Sequence, residues 1–155
     1  MIASTDHVIE LHDINNAPSA LQLLQACNLE TRDILDDRSV FFCVRSKGRL
    51  VGVIGLELHD TIGLVRSMAV EPAARGHGLA RRLYDHLQAF AEARGLETLF
   101  LLTETAERFF QFKGFQRIAR DQAPPAVAAT PQFTALCPVS AALMRLQLDA
   151  TERTS

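Results

Sequence analysis

The sequence predicts a single α/β domain built on a mixed sheet. Of its 155 residues, 48% are hydrophobic and 22% charged, which is typical of a globular chain with one core. Short runs rich in β-branched and aromatic residues alternate with polar turns in the first half. An amphipathic helix then separates two apolar strands, and such a crossover makes the two strands parallel. We therefore assign residues 1–155 to one domain, whose core motifs fall at about residues 40–146.

The elements of the first half are predicted from hydrophobic spacing and turn residues. Residues 8–11 form a short apolar strand, and Leu21, Leu24 and Ala26 have the spacing of a helix. The polar stretch Asn28–Ser39 is a short helix or a loop. Three strands then follow in hairpin order, separated by turns at 46–49 and 59–61; they are Val40–Val44, Leu50–Leu58 and Ile62–Val70.

The second half begins with the strongest helical pattern of the chain. Leu79–Arg94 has its apolar residues on one face and is followed by Gly95, a residue favoured just after a helix. A buried strand is predicted at Thr98–Thr103, and then a short helix through Lys113 that Thr105 would cap. The last two strands are predicted on either side of a proline- and alanine-rich stretch, at Phe115–Ile118 and Ser140–Leu148.

Charge and cysteine content argue against several classes of protein. Sixteen Lys and Arg against 18 Asp and Glu give a net charge of −2, which disfavours general binding to nucleic acid. The three cysteines are widely separated and lack the spacing of a metal site, which suits a reducing compartment. No signal-peptide pattern is present, and no apolar run reaches the roughly 18 residues that span a bilayer. We expect a cytoplasmic protein with no metal and no membrane or nucleic-acid partner.

The segment between the predicted strand Ile62–Val70 and the predicted helix Leu79–Arg94 contains residues that indicate a binding site. Gly76 and Gly78 permit backbone conformations and close approaches that a Cβ would block. The N-terminus of a helix adds unpaired N–H groups and a partial positive charge, which together bind anions. Arg75, Arg81 and Arg82 add positive charge in a chain that is slightly acidic overall. From the spacing alone, a phosphate site and an ordinary helix start with solvated arginines are both open.

The same segment resembles a known motif. Arg75-Gly76-His77-Gly78-Leu79-Ala80 is similar to the Q/R-x-x-G-x-G/A motif of the GNAT superfamily of N-acetyltransferases, and it follows a strand that ends Met68-Ala69-Val70. The later segment Ala106–Phe115 resembles the family's helix that ends in Gly-Phe. The resemblance implies acetyl-CoA as co-substrate. It also implies a mixed, mostly antiparallel sheet that is splayed where the cofactor enters, with helices on both faces.

A narrower resemblance extends beyond these motifs. Leu99–Ala106 and the closing segment Leu136–Met144 are similar to the acetyltransferase domain of N-acetylglutamate synthases and, more closely, to the small acetyltransferases associated with arsenic-resistance operons. It implies an acceptor that is an amino acid or resembles one.

The family resemblance implies roles for the cofactor-binding residues, mostly through their main chain. The strand residues Met68, Ala69 and Val70 would contact the pantetheine arm. The loop would bind the pyrophosphate through Arg75, Gly76, His77, Gly78, Leu79 and Ala80.

Attack of an amine on the thioester requires a base for the ammonium proton and donors for the oxyanion. Glu57 is the candidate base because it lies in the apolar strand LVGVIGLEL, and withdrawal from water makes a carboxylate more basic. Arg66, the other charge in the central strands, could hold a substrate carboxylate in a bidentate fashion. The alternatives are a Glu57 that faces solvent or pairs with Arg66, and an Arg66 that serves a structural ion pair.

The leaving thiolate needs a donor, and here the chain departs from the wider family. Many members carry a tyrosine in the helix before Gly-Phe, where this chain has Phe109 and Phe110. The resemblance to the synthases instead suggests Ser140 as a hydroxyl donor to the sulfur, with a structural serine as the alternative. The synthases' own base falls here near Leu64, an apolar residue.

Two further residues are candidates for acceptor binding. Thr103 ends a predicted strand, where capping of the next helix is the alternative role. Arg120 lies on the loop that would wall the acceptor pocket and could act as a second carboxylate clamp, with a solvated loop arginine as the alternative.

The sequence therefore predicts an acetyl-CoA-dependent N-acetyltransferase that acts on a small amino acid or an amino-acid-like toxin. A non-catalytic acyl-CoA sensor and an acetyltransferase for a protein or peptide amine are the alternatives. A homodimer is also open, because the apolar run Ala141–Leu146 would leave an adhesive edge if nothing covered it.

Overall fold

The computed structural model describes residues 7–12, 39–46, 49–76, 78–130, 133 and 140–148. The strands are β1 His7–His12, β2 Ser39–Ser46, β3 Arg49–His59, β4 Ile62–Val70, β5 Thr98–Thr103, β6 Gln116–Ile118 and β7 Ala142–Gln147. The helices are α1 Leu79–Ala93, α2 Glu107–Phe112 and α3 Pro125–Ala128.

The predicted mixed sheet is confirmed. Its seven strands are hydrogen-bonded in the order β1-β2-β3-β4-β5-β7-β6. The crossover through α1 makes β4 and β5 parallel, with Ile62–Val65 in register with Thr98–Leu101. Strand β2 pairs antiparallel with β1 and with β3, and strand β7 pairs antiparallel with β5 and with β6. The splay that is predicted where the cofactor enters the sheet is not tested by these strand pairs and stays a prediction.

The chain divides into two compact units, of which the first comprises Met1–Glu57 and Arg66–Phe90. Helix α1 covers one face of its strands, where the Phe42 ring meets the rings of His86 and Phe90 edge-on at centroid distances of 5.4 and 5.2 Å. Gly52 permits this approach, since a Cβ there would lie 3.1 Å from Leu83 Cδ1. Side chains alternate along a strand, so Gly55 and Glu57 belong to the opposite face of β3.

The second unit comprises Leu58–Val65 and Ala91–Ser155. A tight turn joins β3 to β4, and its Asp60 has a φ of 56°, a conformation that Asp tolerates better than most residues. The core of this unit is a buried cluster on two strands, the helix α3 and the last strand, formed by Leu64, Phe100, Val127 and Leu143.

The structure corrects three expectations about the second unit. Strand β7 pairs with β5 on one side and β6 on the other, so its apolar run is not an edge and gives no reason to expect a second subunit. Helix α2 begins after Ala106 rather than at a Thr105 cap, because Thr103 Oγ1 accepts the Ala106 N–H bond at 2.9 Å. The proline-rich stretch also contains α3, which was not predicted.

Other predicted elements keep their bounds within one or two residues, and β5 matches at both ends. The helix predicted around Leu21–Ala26 and the stretch 28–38 lie outside the described residues.

Candidate functional site

A loop with two glycines lies where β4 passes into α1. A 3-10 turn at Pro72–Ala74 follows the strand, and the loop then contains Gly76 and Gly78, with φ of 90° and 76°. These left-handed conformations favour glycine. A Cβ built at either position would have no atom within 4 Å, so the space beside this backbone is unfilled by the described residues.

This loop leads directly into the N-terminal turn of α1. Gly78 O accepts the Arg82 N–H bond at 3.1 Å, which makes Gly78 the residue before the helical ladder. The amides of Leu79 and Ala80 therefore lie in the first turn, where N–H groups have no intrahelical acceptor. Leu79 is buried and anchors this turn. First-turn amides without an intrahelical acceptor, at the positive end of a helix, suit an anion such as a diphosphate. His77 lies outside the described residues.

Arg75 ties the loop to the end of β4. Its Nε donates to Val70 O at 2.9 Å, while the residue itself is exposed. Within the described part of the chain its terminal guanidinium nitrogens make no other hydrogen bond. The arginine can therefore brace the loop and still present donors to an anion. Arg81, in the first turn of α1, is exposed as well.

The predicted pantetheine-binding residues lie on the strand that leads to this loop. Met68 is half-buried, while Ala69 and Val70 are buried. The carbonyl of Val70 already accepts the bond from Arg75. A contact of the remaining main chain with a thioester cofactor stays a prediction.

Two buried charged residues lie on the face of the first unit's sheet that α1 does not cover. Glu57 is 2% exposed and Arg66 is 4% exposed, so the alternative of a Glu57 that faces solvent is wrong. Phe41 is in register with Gly55, and a Cβ built at Gly55 would lie 2.6 Å from Phe41 Cε2 and 3.2 Å from Arg66 Cγ. The Phe41 ring and the Arg66 stem thus share the space above Gly55. Glu57 follows two residues later on the same face.

Sequence reasoning missed two features of this face. Gly55 is needed because the Phe41 ring and the Arg66 stem occupy the space of its side chain. The signal was present in the glycines at 52 and 55 of an otherwise apolar strand, since a glycine there marks a close approach. Ser39 is in register with Glu57 and was assigned only to the end of a loop. Only the strand register identifies it as a neighbour of Glu57.

Three predicted residues lie in the second unit. Thr103 Oγ1 accepts the Ala106 N–H bond, so it contacts the residue before α2 rather than an amide within the helix. Arg120 is half-buried; its Nη1 donates to Ala141 O at 3.1 Å and its Nη2 to Phe133 O at 3.3 Å, with the guanidinium carbon 4.5 Å from the Phe133 ring centroid. Arg120 is therefore not a solvated loop residue. Ser140 is exposed and directly precedes Ala141. Their roles toward an acceptor stay predictions.

The aromatic residues before Gly-Phe are part of the packing. Phe110 is buried, and its ring meets Phe109 and Phe115 edge-on at 5.0 and 5.5 Å. Tyr84, the single tyrosine of the chain, is fully buried on α1. The positions in helix α2 where a tyrosine could supply a phenol donor are therefore occupied by phenylalanines that pack against one another.

Metal clusters and membrane-spanning helices are both absent from the described ranges. No group of three or more His, Cys, Asp or Glu side chains is gathered there in a way that could hold a metal ion. In the same ranges, no helix has the length and hydropathy needed to cross a membrane.

Comparison with known proteins matches the chain to one family model. Residues 8–115 match the model described as the acetyltransferase (GNAT) family. The chain is 31% identical over 97 residues to an amino-acid acetyltransferase of Ralstonia nicotianae, with 61% of this chain and 22% of that protein covered. It is 38% identical over 72 residues to an amino-acid acetyltransferase of Mycobacterium tuberculosis, with 46% and 41% covered. The chain thus spans less than half the length of these relatives.

A solved structure has the same fold. It is the N-acetylglutamate synthase of Neisseria gonorrhoeae in complex with coenzyme A and N-acetyl-glutamate, and it aligns with a TM-score of 0.74 at 19% identity over 92% of this chain and 35% of that one. At this identity the likeness concerns the fold alone.

Proposed function

The chain belongs to the GNAT acetyltransferase family, and from this we propose that it transfers an acetyl group from acetyl-CoA to the amine of a small amino acid or of an amino-acid-like toxin. The relatives named amino-acid acetyltransferase support an amino-acid acceptor. The resemblance to arsenic-resistance-associated enzymes is the basis for including toxins that mimic amino acids.

The observation that carries the proposal is the presence of two buried charges on one face of β3 and β4. Glu57 and Arg66 are both almost fully withdrawn from water, where charged groups interact most strongly with groups of opposite charge. An α-amino acid offers one such group to each of them, an ammonium for Glu57 and a carboxylate for Arg66. The stem of Arg66 lies above Gly55, two residues from Glu57 on the same face, which supports a site where both residues meet one small zwitterion.

The chemistry then follows from the roles of these groups. Glu57 takes a proton from the ammonium, and the amine nitrogen attacks the thioester carbonyl to form the new C–N bond. Collapse of the tetrahedral intermediate breaks the C–S bond, the nitrogen loses its second proton to leave the neutral amide, and a proton on the departing thiolate gives free CoA. Ser140 retains the role of a hydroxyl donor to the departing sulfur. Glu57 returns its proton to solvent before the next turnover.

The glycine loop supports the cofactor side of the proposal. The open space beside Gly76 and Gly78 and the first-turn amides of α1 fit a diphosphate, the group that links the adenosine and pantetheine parts of CoA. Arg75 and Arg81 add exposed positive charge beside it. Acetyl-CoA supplies the activated acyl group, while the chain's own residues bind and orient it.

The test is release of free thiol from acetyl-CoA over a panel of amino acids, amino-acid antimetabolites and short peptides. Each amino acid is matched by the amine that lacks its carboxylate. We expect turnover of at least one amino acid or analogue, with its decarboxylated amine a poor acceptor. CoA binding without turnover of any acceptor would favour a sensor, and turnover of peptides alone would favour a protein-directed enzyme.

Two variants of Arg66 refine this test. Arg66→Gln removes the charge, and Arg66→Lys keeps the charge without the bidentate fork. We expect both to raise the KM of the amino acid and to leave the KM of acetyl-CoA unchanged, with the larger effect for Arg66→Gln. An unchanged preference for the amino acid over its decarboxylated amine in Arg66→Gln would contradict the carboxylate role.

A further inference from the structure

Ser39 is a buried hydroxyl whose hydrogen bonds are not made within the described protein. It is the first residue of β2, it is 8% exposed, and its Oγ has no hydrogen-bond partner among the residues that the structure describes. Thr130, a comparably buried hydroxyl, donates to Val127 O at 2.7 Å and accepts from Phe133 N at 3.3 Å. Because an unpaired buried hydroxyl destabilises a fold, Ser39 calls for a partner from outside the described residues, and a bound ligand can supply it.

The position of Ser39 identifies the site to which that partner would belong. Ser39 and Glu57 are directly opposite each other in the antiparallel register of β2 and β3. Directly opposed residues place their side chains on the same face, with Cβ atoms about 4.5–5.5 Å apart. Phe41 and Gly55, the next pair along on that face, lie beside the stem of Arg66. Ser39 therefore lies next to Glu57, the candidate base, one pair of opposed residues away from the stem of Arg66.

The chemistry of the two groups limits what can lie between them. An ionised carboxylate only accepts hydrogen bonds, and a serine oxygen accepts them readily. Because a serine hydroxyl can also donate, a ligand group between them needs at least one donor, for Glu57, and either a donor or an acceptor for Ser39. A primary ammonium has three N–H donors and matches this need, whereas a carboxylate or a carbonyl does not.

We propose that Ser39 is part of the acceptor site, where its Oγ accepts a hydrogen bond from the ammonium of the substrate while Glu57 takes a proton from the same nitrogen. The inference rests on the proposed function and adds a residue that binds the amine. Once Glu57 holds the proton, the neutral amine still has an N–H that points to Ser39, so the lone pair has a defined direction. Ser39 thus favours primary amines and orients them for attack.

The test is Ser39→Ala, which removes one oxygen atom and no carbon. A lost hydrogen bond to a charged group corresponds to a rise of roughly ten- to a hundredfold in the KM of the amine acceptor. The KM of acetyl-CoA should not change. Ser39→Thr retains the hydroxyl and should restore much of the affinity for the acceptor.

Stability gives a second readout with the opposite sign. Because the hydroxyl is unpaired in the described protein alone, Ser39→Ala should leave the melting temperature unchanged or raise it. Val40→Ala on the opposite face of the same strand is the matched control, which should lower the melting temperature without a selective rise in the acceptor KM. A structural Ser39 would instead lower the melting temperature on replacement by alanine.

The outcomes separate this inference from the proposed function. If the wild type acetylates an amino acid and Ser39→Ala has the same acceptor KM, the role of Ser39 is overturned while the activity stands. Binding of the amino acid alone, measured as thermal stabilisation, supports the inference if it weakens in Ser39→Ala. If the wild type neither acetylates nor binds any amine of the panel, both proposals are overturned.

Discussion

Gly78→Asp is the sharpest test of the glycine loop because the structure separates its effect on binding from its effect on folding. Gly78 has a φ of 76°, and a Cβ at this position would have no atom within 4 Å, so a new side chain meets open space. The left-handed conformation costs a residue with a Cβ about 1–2 kcal/mol. In a chain of this size that lowers the melting temperature by roughly 2–4 °C for each kcal/mol. An acidic group at a helix N-terminus offsets part of this loss.

The effect on CoA binding is larger. A carboxylate about 5 Å from each charge of a diphosphate costs about 0.8 kcal/mol per charge in water, and more where the ligand excludes water. With the space that the side chain takes from the phosphates, we expect a loss of about 2–3 kcal/mol, or roughly 30- to 150-fold in Kd. Gly78→Ala should lose only the part that is due to space. Higher salt should reduce the difference between the two variants.

Gly95 provides the matched control. It follows α1, its φ is 87°, and a Cβ there would also have no atom within 4 Å. Gly95→Ala should therefore lower the melting temperature by as much as Gly78→Ala, and Gly95→Asp should bind CoA as the wild type does. Isothermal calorimetry with CoA measures the affinities. Wild-type affinity in Gly78→Asp, or an equal loss in Gly95→Asp, would refute the assignment of the phosphate site.

Three further predictions concern catalysis and the acceptor face. Glu57→Gln should lower kcat/KM by about 10²- to 10⁴-fold with CoA affinity unchanged, because it removes the proton acceptor; a kcat/KM close to that of the wild type would exclude Glu57 as the base. Gly55→Ala should cost about 1–3 kcal/mol and raise the acceptor KM, because its Cβ would lie 2.6 Å from Phe41 Cε2. Gly52→Ala, on the face covered by α1, should destabilise similarly but leave that KM unchanged, and equal KM effects would contradict the position of the acceptor. Ser140→Ala should lower kcat without changing the melting temperature, since Ser140 is exposed, and an unchanged kcat would remove it from the mechanism.

Local patterns predicted most of the fold. The bounds of β5 and the start of α1 follow from short apolar runs and from the residues that flank them. The place of β7 between β5 and β6 could not be predicted in this way, because strand order depends on pairing between residues far apart in the chain.

In the candidate site, too, local patterns predict residues that are close together in the sequence but not those that only strand pairing brings together. The glycine loop is contiguous, so its residues could be identified from the sequence, and the loop has the backbone conformations expected of it. The proposed acceptor site combines residues from the three strands β2, β3 and β4. Only the register of β2 with β3 brings Ser39 opposite Glu57. For Arg120 the sequence left a solvated side chain open, and its bonds to Ala141 O and Phe133 O depend on loop contacts that no local pattern encodes.

The position of β7 also has a consequence for the order in which the chain can fold during synthesis. Strand β6 is three residues long and pairs with β7, which follows it by more than twenty residues. Until Ala142–Gln147 leaves the ribosome, one side of β5 lacks its antiparallel neighbour and β6 has no strand to pair with. Such an open edge is the part of a nascent sheet most exposed to association with other chains. The sheet of the second unit can therefore be completed only when β7 pairs with β5 and gives β6 its partner.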